Sequence, residues 1–303
     1  MLTSVPESGF LGVPVETDPS RIDADVAILG VPHGWPYPRP GSTAGCALAP
    51  AAVRSRAARL ARFRGNWDFD LDGPMLALDR PPRLVDAGDV PGDVTDGPGN
   101  AARTTEAVAA ILGRGAIPVC IGGDDSVPIP ILRAYEGRGP LTVLQVDAHL
   151  DYRDVVDGVR DGYSSPMRRA SEMGHVARIV HVGLRGVGSA RAADVEDSLA
   201  AGNLLVTARE IREGGVGGVL AALPPDASIF VAFDCDGLDP SVLPAVSAPS
   251  PGGLTYLEAT DLLAGIGPRL AGAAFTEYVP ALDDTATSAL VVARLIVALI
   301  AAR

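Results

Sequence analysis

Asp147, His149 and Asp151 alternate along the chain as D-x-H-x-D, and Asp234 and Asp236 repeat that spacing as D-x-D. Where backbone is extended, residues two apart project to one face, so each group would point into a single space. Aspartates just after strands also serve as turn and cap residues. Two such runs converging in one crevice would, however, repel unless cations neutralised them. Carboxylates with one imidazole form a hard, oxygen-rich ligand set that suits Mn²⁺ or Mg²⁺ better than a thiolate-type zinc site. Enough carboxylates are present for two ions with a shared aspartate. Such a pair can generate hydroxide near neutral pH and clamp a polarised substrate. Hydrolysis at a two-metal site is the chemistry to expect.

The elements that must carry these residues are short apolar runs alternating with Ala/Leu/Arg-rich stretches. Strands are expected at 24–31, 83–88, 116–122, 141–147, 178–184, 203–208, 228–234 and 272–278. Helices are expected near 50–62, 100–114, 127–136, 189–200, 208–222, 254–267 and 284–302. Alternation of this kind marks βαβ units, and near-continuous apolar strands suit a parallel sheet buried on both faces. With no linker or internal repeat, one doubly wound α/β domain is expected, with 1–23 as an N-terminal extension. Polar residues gather at the carboxyl ends of the strands: His33, Asp86 and Asp89, Asp124 and Asp125, the D-x-H-x-D run, the D-x-D run and Glu277. Ligands of open α/β sheets bind outside those ends, so one shared site is expected to account for all of them.

Composition removes other classes. Of 303 residues, 47% are hydrophobic, which excludes a disordered chain. All 25 basic residues are arginine and there is no lysine, so a Walker-type phosphate loop and a pyridoxal-phosphate Schiff base are both excluded. A net charge of −12 disfavours nucleic acid and anionic membranes as partners. Cys46, Cys120 and Cys235 are odd in number and scattered, which is no disulfide framework. The start MLTSVPESGF lacks a secretory pattern, and the apolar stretch 289–303 is too short to span a bilayer and carries Arg294. A buried terminal helix and a cytoplasmic location are expected.

The strings RPGSTAGCALAPAAVRS, GGDDS, DAHLD and DCDGLDPSVLPAVSAPSPGGLT, followed by Glu277, resemble the ureohydrolase family of arginases and agmatinases, in the family's order from about residue 25 onward. The resemblance implies a three-layer αβα fold with an eight-stranded parallel sheet, and a homotrimer or homohexamer. It also implies hydrolysis of linear amidines with two Mn²⁺, with another divalent metal such as Ni²⁺ as a substitute. By motif, Asp147 and Asp234 would bridge the ions, Asp151 would join the first, and His149 and Asp236 the second. Glu277 would hold the substrate guanidinium.

Two positions depart from the family. GGDHS becomes GGDDS, so Asp125 stands where a histidine ligates the first metal. Aspartate is a competent ligand, but the site becomes about one charge more negative, which should raise the pKa of a bridging water. Aligning DGYSSPMRRA on Pro166 places Tyr163 where the family's histidine shuttles protons or contacts substrate. With a pKa of about 10, tyrosine donates hydrogen bonds but shuttles poorly, and His33 is the candidate replacement. Asp151, Tyr163, Glu277 and His33 are thus the catalytic candidates, and Asp125, Asp147, His149, Asp151, Asp234 and Asp236 the metal ligands. His175 is expected at the surface, His181 as a satisfied structural histidine, and Cys235 in packing.

The expected reaction is hydrolysis of a guanidino compound, agmatine or a guanidino acid, to urea and an amine. Asp154, Asp157 and Asp161 offer themselves to a cationic tail, and Arg153 and Arg160 to a carboxylate. The alternative is a non-catalytic, metal-poor subunit of a mixed oligomer. A metal-dependent deacetylase shares the general fold but lacks these motifs.

Overall fold

The computed structural model describes residues 2–38, 44–77 and 79–302. The strands among them are, in chain order, β1 (Val26–Gly30), β2 (Trp67–Asp68), β3 (Gly73–Pro74), β4 (Leu84–Asp89) and β5 (Ile117–Ile121). They continue with β6 (Leu141–Val146), β7 (Val176–Leu184), β8 (Leu204–Thr207), β9 (Ser228–Asp234) and β10 (Leu270–Thr276). Eight of these form one parallel sheet in the order β4-β1-β5-β10-β9-β6-β7-β8, while β2 and β3 make a small antiparallel ladder. All eight expected strands are present.

The sheet is buried on both sides because its central strands carry apolar residues toward both faces. In β1, Val26 and Ile28 enter one core while Ala27 and Leu29 enter the other. The first core is closed by α1 (Ala49–Leu60), α6 (Ala208–Gly214), α7 (Gly217–Ala222), α8 (Tyr256–Ile266) and α9 (Thr287–Ala301). The second lies under α2 (Gly97–Gly113), α3 (Pro128–Arg133), α4 (Pro166–Ser171) and α5 (Ala192–Ala200). This is a three-layer αβα arrangement. Val292, Leu295, Ile296 and Leu299 follow helical spacing on α9 and are fully buried. Each contributes roughly 1.5–3 kcal/mol, and an aspartate at Leu295 would break the layer. Arg294 leaves that core and donates to Asp68 and Asp70 at 2.8 Å each. No helix among the described residues is long and apolar enough to cross a membrane.

One expectation is corrected. The helix expected over 208–222 is split into α6 and α7 by Gly215, whose φ of 70° ends the first turn series. In the segment before β1, Ser4 exchanges backbone hydrogen bonds with Asp89 at 2.7 and 2.9 Å, covering the β4 edge.

Candidate metal centre

The sheet order sets β5, β10, β9 and β6 side by side, so their carboxyl ends open into one crevice. Asp125 follows β5 after Gly122 and Gly123, both at positive φ. Thr276 ends β10 and Glu277 follows it, Asp234 ends β9, and Asp147 follows β6. Extended alternation does not aim the two aspartate runs, because the strands stop at Val146 and Asp234. Tight turns aim them instead. Asp147 Oδ1 accepts the N–H of His149 at 2.6 Å, and Asp234 Oδ1 accepts that of Asp236 at 2.7 Å, which folds each second residue back toward the crevice. The chain then packs closely: a Cβ on Gly237 would lie 2.8 Å from the Asp147 nitrogen. Asp151 and Glu277 hold φ of 45° and 63°, strain of the kind that clusters at functional sites.

Ligand atoms converge in two sets. One oxygen from each of Asp125, Asp147, Asp151 and Asp234 lies within 4.8 Å of the others, and so do atoms of Asp147, His149 and Asp236. Asp147 belongs to both. His149 Nδ1 is 3.1 Å from Asp236 Oδ2, which holds the imidazole pKa up, and the Ala148 N–H binds Asp236 Oδ1 at 3.1 Å. Burial, followed by the charges of neighbouring carboxylates, pushes Asp125, Asp147, Asp151 and Asp234 well above the usual carboxylate range. Buried like charges of this density are costly unless cations compensate them. Asp125 Oδ2 is buried with no donor among the described residues. The donor set therefore fits divalent cations.

Above the carboxylates is a cavity of about 380 Å³, bordered by Asp125, His149, Asp151, Asp234, Asp236 and Glu277 and walled by Tyr163, Ser164, Ser189 and Ser247. Glu277 Oε1 accepts the Asp125 N–H at 2.9 Å, and the Cys46 thiol lies 3.9 Å from its Oε2. Tyr163 packs on Tyr37 with ring centroids 4.3 Å apart, and the Tyr37 hydroxyl accepts the Ser164 N–H at 3.0 Å. A larger groove of about 840 Å³, beside Arg209 and Arg212, is bordered by none of the ligand residues.

Several sequence expectations fall elsewhere. His33 lines a separate small cavity with Trp35 and Arg133, so it is not set against the carboxylates. Asp86 and Asp89 end the far-edge strand β4 and bind the buried guanidinium of Arg54. Strand-end position alone did not reveal that β4 lies two strands away from the site. His175 is half-buried, its Nε2 2.9 Å from the Leu132 carbonyl, rather than at the surface. His181 is fully buried and hydrogen-bonded, and Cys235 packs in the core. The residues offered for a substrate tail are engaged: Arg153 with Asp194, Asp154 with Arg169, Asp161 with Arg133 and Arg160 with Asp154. The RPGST start of the RPGSTAGCALAPAAVRS string, residues 39–43, lies outside the described residues. Thr276, Cys46 and Gln145 were missed. Only Gln145 gave a signal, as a polar residue inside an apolar strand.

The chain is similar to mitochondrial agmatinase of Gallus gallus, 28% identical over 295 residues that cover 95% of this chain and 83% of that protein. Its fold is similar to the proclavaminate amidino hydrolase of Streptomyces clavuligerus, with a TM-score of 0.85 at 27% identity over 99% of this chain and 97% of the other. It also resembles Trypanosoma cruzi formiminoglutamase with bound Mn²⁺, with a TM-score of 0.83 at 26% identity over 97% of each chain. The model of the Arginase family matches residues 24–301. With that match spanning every strand of the sheet and both ligand sets, the chain belongs to the arginase family.

Proposed function

We propose that this protein is a binuclear-metal amidinohydrolase that cleaves a guanidino compound, agmatine or a guanidino acid, to urea and an amine. The observation that carries the reading is the pair of ligand sets sharing Asp147 beneath a cavity with Glu277 in its wall. Asp125, Asp147, Asp151 and Asp234 would hold one cation, and Asp147, His149 and Asp236 the other, with Asp234 as the second shared ligand. The hard donor set and the Mn²⁺-bound relative support Mn²⁺. Two such cations supply Lewis acidity for activating water and for charge that builds up on the substrate.

The protein's own groups supply the rest. Glu277 is anchored through Oε1 by the Asp125 N–H, leaving a carboxylate to accept hydrogen bonds from a planar guanidinium. That contact would turn the amidine carbon toward the carboxylate floor, which is orientation of the near-attack kind. Asp151, which borders the cavity, would accept the proton released by an attacking water. Tyr163 would donate a hydrogen bond to the substrate rather than relay protons. The test is to incubate the purified chain with Mn²⁺ and agmatine, guanidinobutyrate or arginine, and to assay urea. Two bound ions per chain with no urea from any guanidino compound would sink the reading.

A further inference from the structure

A hydrogen-bonded row of buried side chains runs from the outer part of the sheet to the metal centre. Gln145 and His181 are register partners on β6 and β7, and Asp147 follows Gln145 by two residues. Gln145 is 1% exposed and His181 is fully buried, as is Ser198 at the end of α5. The Gln145 amide Nε2 donates to Asp147 Oδ2 at 2.6 Å, and its Oε1 contacts His181 Nδ1. On the other side of the ring, Ser198 Oγ is 3.4 Å from His181 Nε2, and Asn203 Nδ2 donates to Ser198 Oγ at 3.2 Å.

The direction of this row can be followed from its far end. The Ile179 backbone N–H lies 3.0 Å from Asn203 Oδ1, and a backbone N–H can only donate. The Asn203 amide nitrogen must therefore face Ser198, whose hydroxyl hydrogen is free to go to His181 Nε2. An imidazole that accepts at Nε2 carries its proton on Nδ1 and donates it to Gln145 Oε1. The Gln145 nitrogen is then turned to Asp147, which as a carboxylate can only accept. The Asp147 end thus requires this polarity, and the Asn203 end is compatible with it. Burial also holds the His181 pKa down to about 3, so the ring stays neutral.

We infer that Gln145, locked by the Nδ1–H tautomer of His181, is a positioning residue that orients the Asp147 carboxylate shared by the two ligand sets. This rests on the proposed metal-holding role of Asp147. Outer groups of this kind fix the direction of a ligand's lone pairs, and their loss weakens metal binding by about 10- to 100-fold.

The experiment uses the full chain. Mn²⁺ affinity is measured by chelator competition for wild type, Gln145→Leu and Gln145→Glu, and the His181 ring is read by NMR after histidine-selective ¹⁵N labelling. Wild type should show a proton on His181 Nδ1. Gln145→Leu should bind Mn²⁺ about 10- to 100-fold more weakly. Gln145→Glu, isosteric but with no N–H to give, should show the same loss while keeping the packing. A wild-type Nε2–H ring or an imidazolium overturns the inference, whether or not either variant folds. So does a folded Gln145 variant that binds within twofold of wild type. Wild type with no measurable Mn²⁺ affinity would instead overturn the reading of the centre, and the inference with it, a result that the variants cannot mimic.

Discussion

The Thr276 hydroxyl donates to Asp125 Oδ1 over 2.7 Å, while Asp125 Oδ2 is buried with no donor among the described residues. One oxygen is thereby fixed and the other presented to the Asp147, Asp151 and Asp234 carboxylates. That orientation suits the ligand role proposed for Asp125. Elemental analysis after Mn²⁺ reconstitution should find close to two ions per chain, and close to one in Asp125→Ala. Thr276→Val should keep both sites but weaken the one at Asp125 about tenfold. An unchanged metal content in Asp125→Ala would remove Asp125 from the ligand set.

Glu277 is the proposed guanidinium partner, and Glu277→Gln preserves its shape while removing its charge. A charged hydrogen bond contributes about 1.5–3 kcal/mol, so kcat/KM for a guanidino substrate should fall roughly 10- to 100-fold. Cys46→Ala removes only a weak thiol donor at 3.9 Å and should leave kcat/KM within about threefold. Steady-state urea release compares the two, and equal losses would show that Glu277 acts through packing rather than charge.

The sheet was legible because its strands are buried on both faces and so read as short apolar runs. The two-residue strands β2 and β3 carry no period and were not. D-x-H-x-D and D-x-D were legible as one converging cluster because the clustered atoms sit on the motif residues themselves. Thr276, Cys46 and Gln145 act on a neighbour brought close by a different strand or loop, and no local pattern records that. The same limit misplaced Asp86 and Asp89: a strand-end aspartate looks alike at the centre and at the edge of a sheet, and strand order is a non-local property.

Metal and pH should act together on stability. Asp125, Asp147, Asp151 and Asp234 have folded pKa values above their unfolded ones. The folded state then binds more protons than the unfolded state, and without metal these groups make stability fall as pH rises above about 4. Cations bind the ionised form, so their benefit grows in the same direction. The rise in Tm on replacing chelator with Mn²⁺ should be larger at pH 8 than at pH 5. A rise that shrinks with pH would contradict the carboxylate assignment.

Tyr163 and His33, the two side chains considered for proton or substrate contacts, line different cavities: Tyr163 borders the one above the carboxylates, whereas His33 borders another. Tyr163→Phe removes one hydroxyl and should lower kcat by about 2- to 13-fold, the scale of a single hydrogen bond of roughly 0.5–1.5 kcal/mol. His33→Ala should change kcat by less than about twofold. A large kcat loss in His33→Ala with KM unchanged would return His33 to the mechanism.

The Arg54 cluster should separate stability from function. Asp86 is fully buried, accepts from Arg54 Nε at 2.8 Å and Nη2 at 2.9 Å, and takes a third bond from the Phe10 N–H at 2.8 Å. The guanidinium also donates to the Gly88 carbonyl at 3.1 Å, so one side chain ties α1 and the N-terminal segment to the β4 edge. Arg54→Met would leave a buried carboxylate without its cation, which costs about 3–5 kcal/mol. Replacing Arg54 and its fully buried partner together, as Arg54→Met with Asp86→Leu, removes the uncompensated charge at Asp86, leaves only the part-exposed Asp89 unpaired and should recover most of the loss. Urea unfolding of the two variants with metal bound measures the difference. Because the cluster lies at the sheet edge, Mn²⁺ content of the folded fraction should stay at the wild-type value in both, and a loss of metal in Arg54→Met alone would mean that Asp86 communicates with the centre after all.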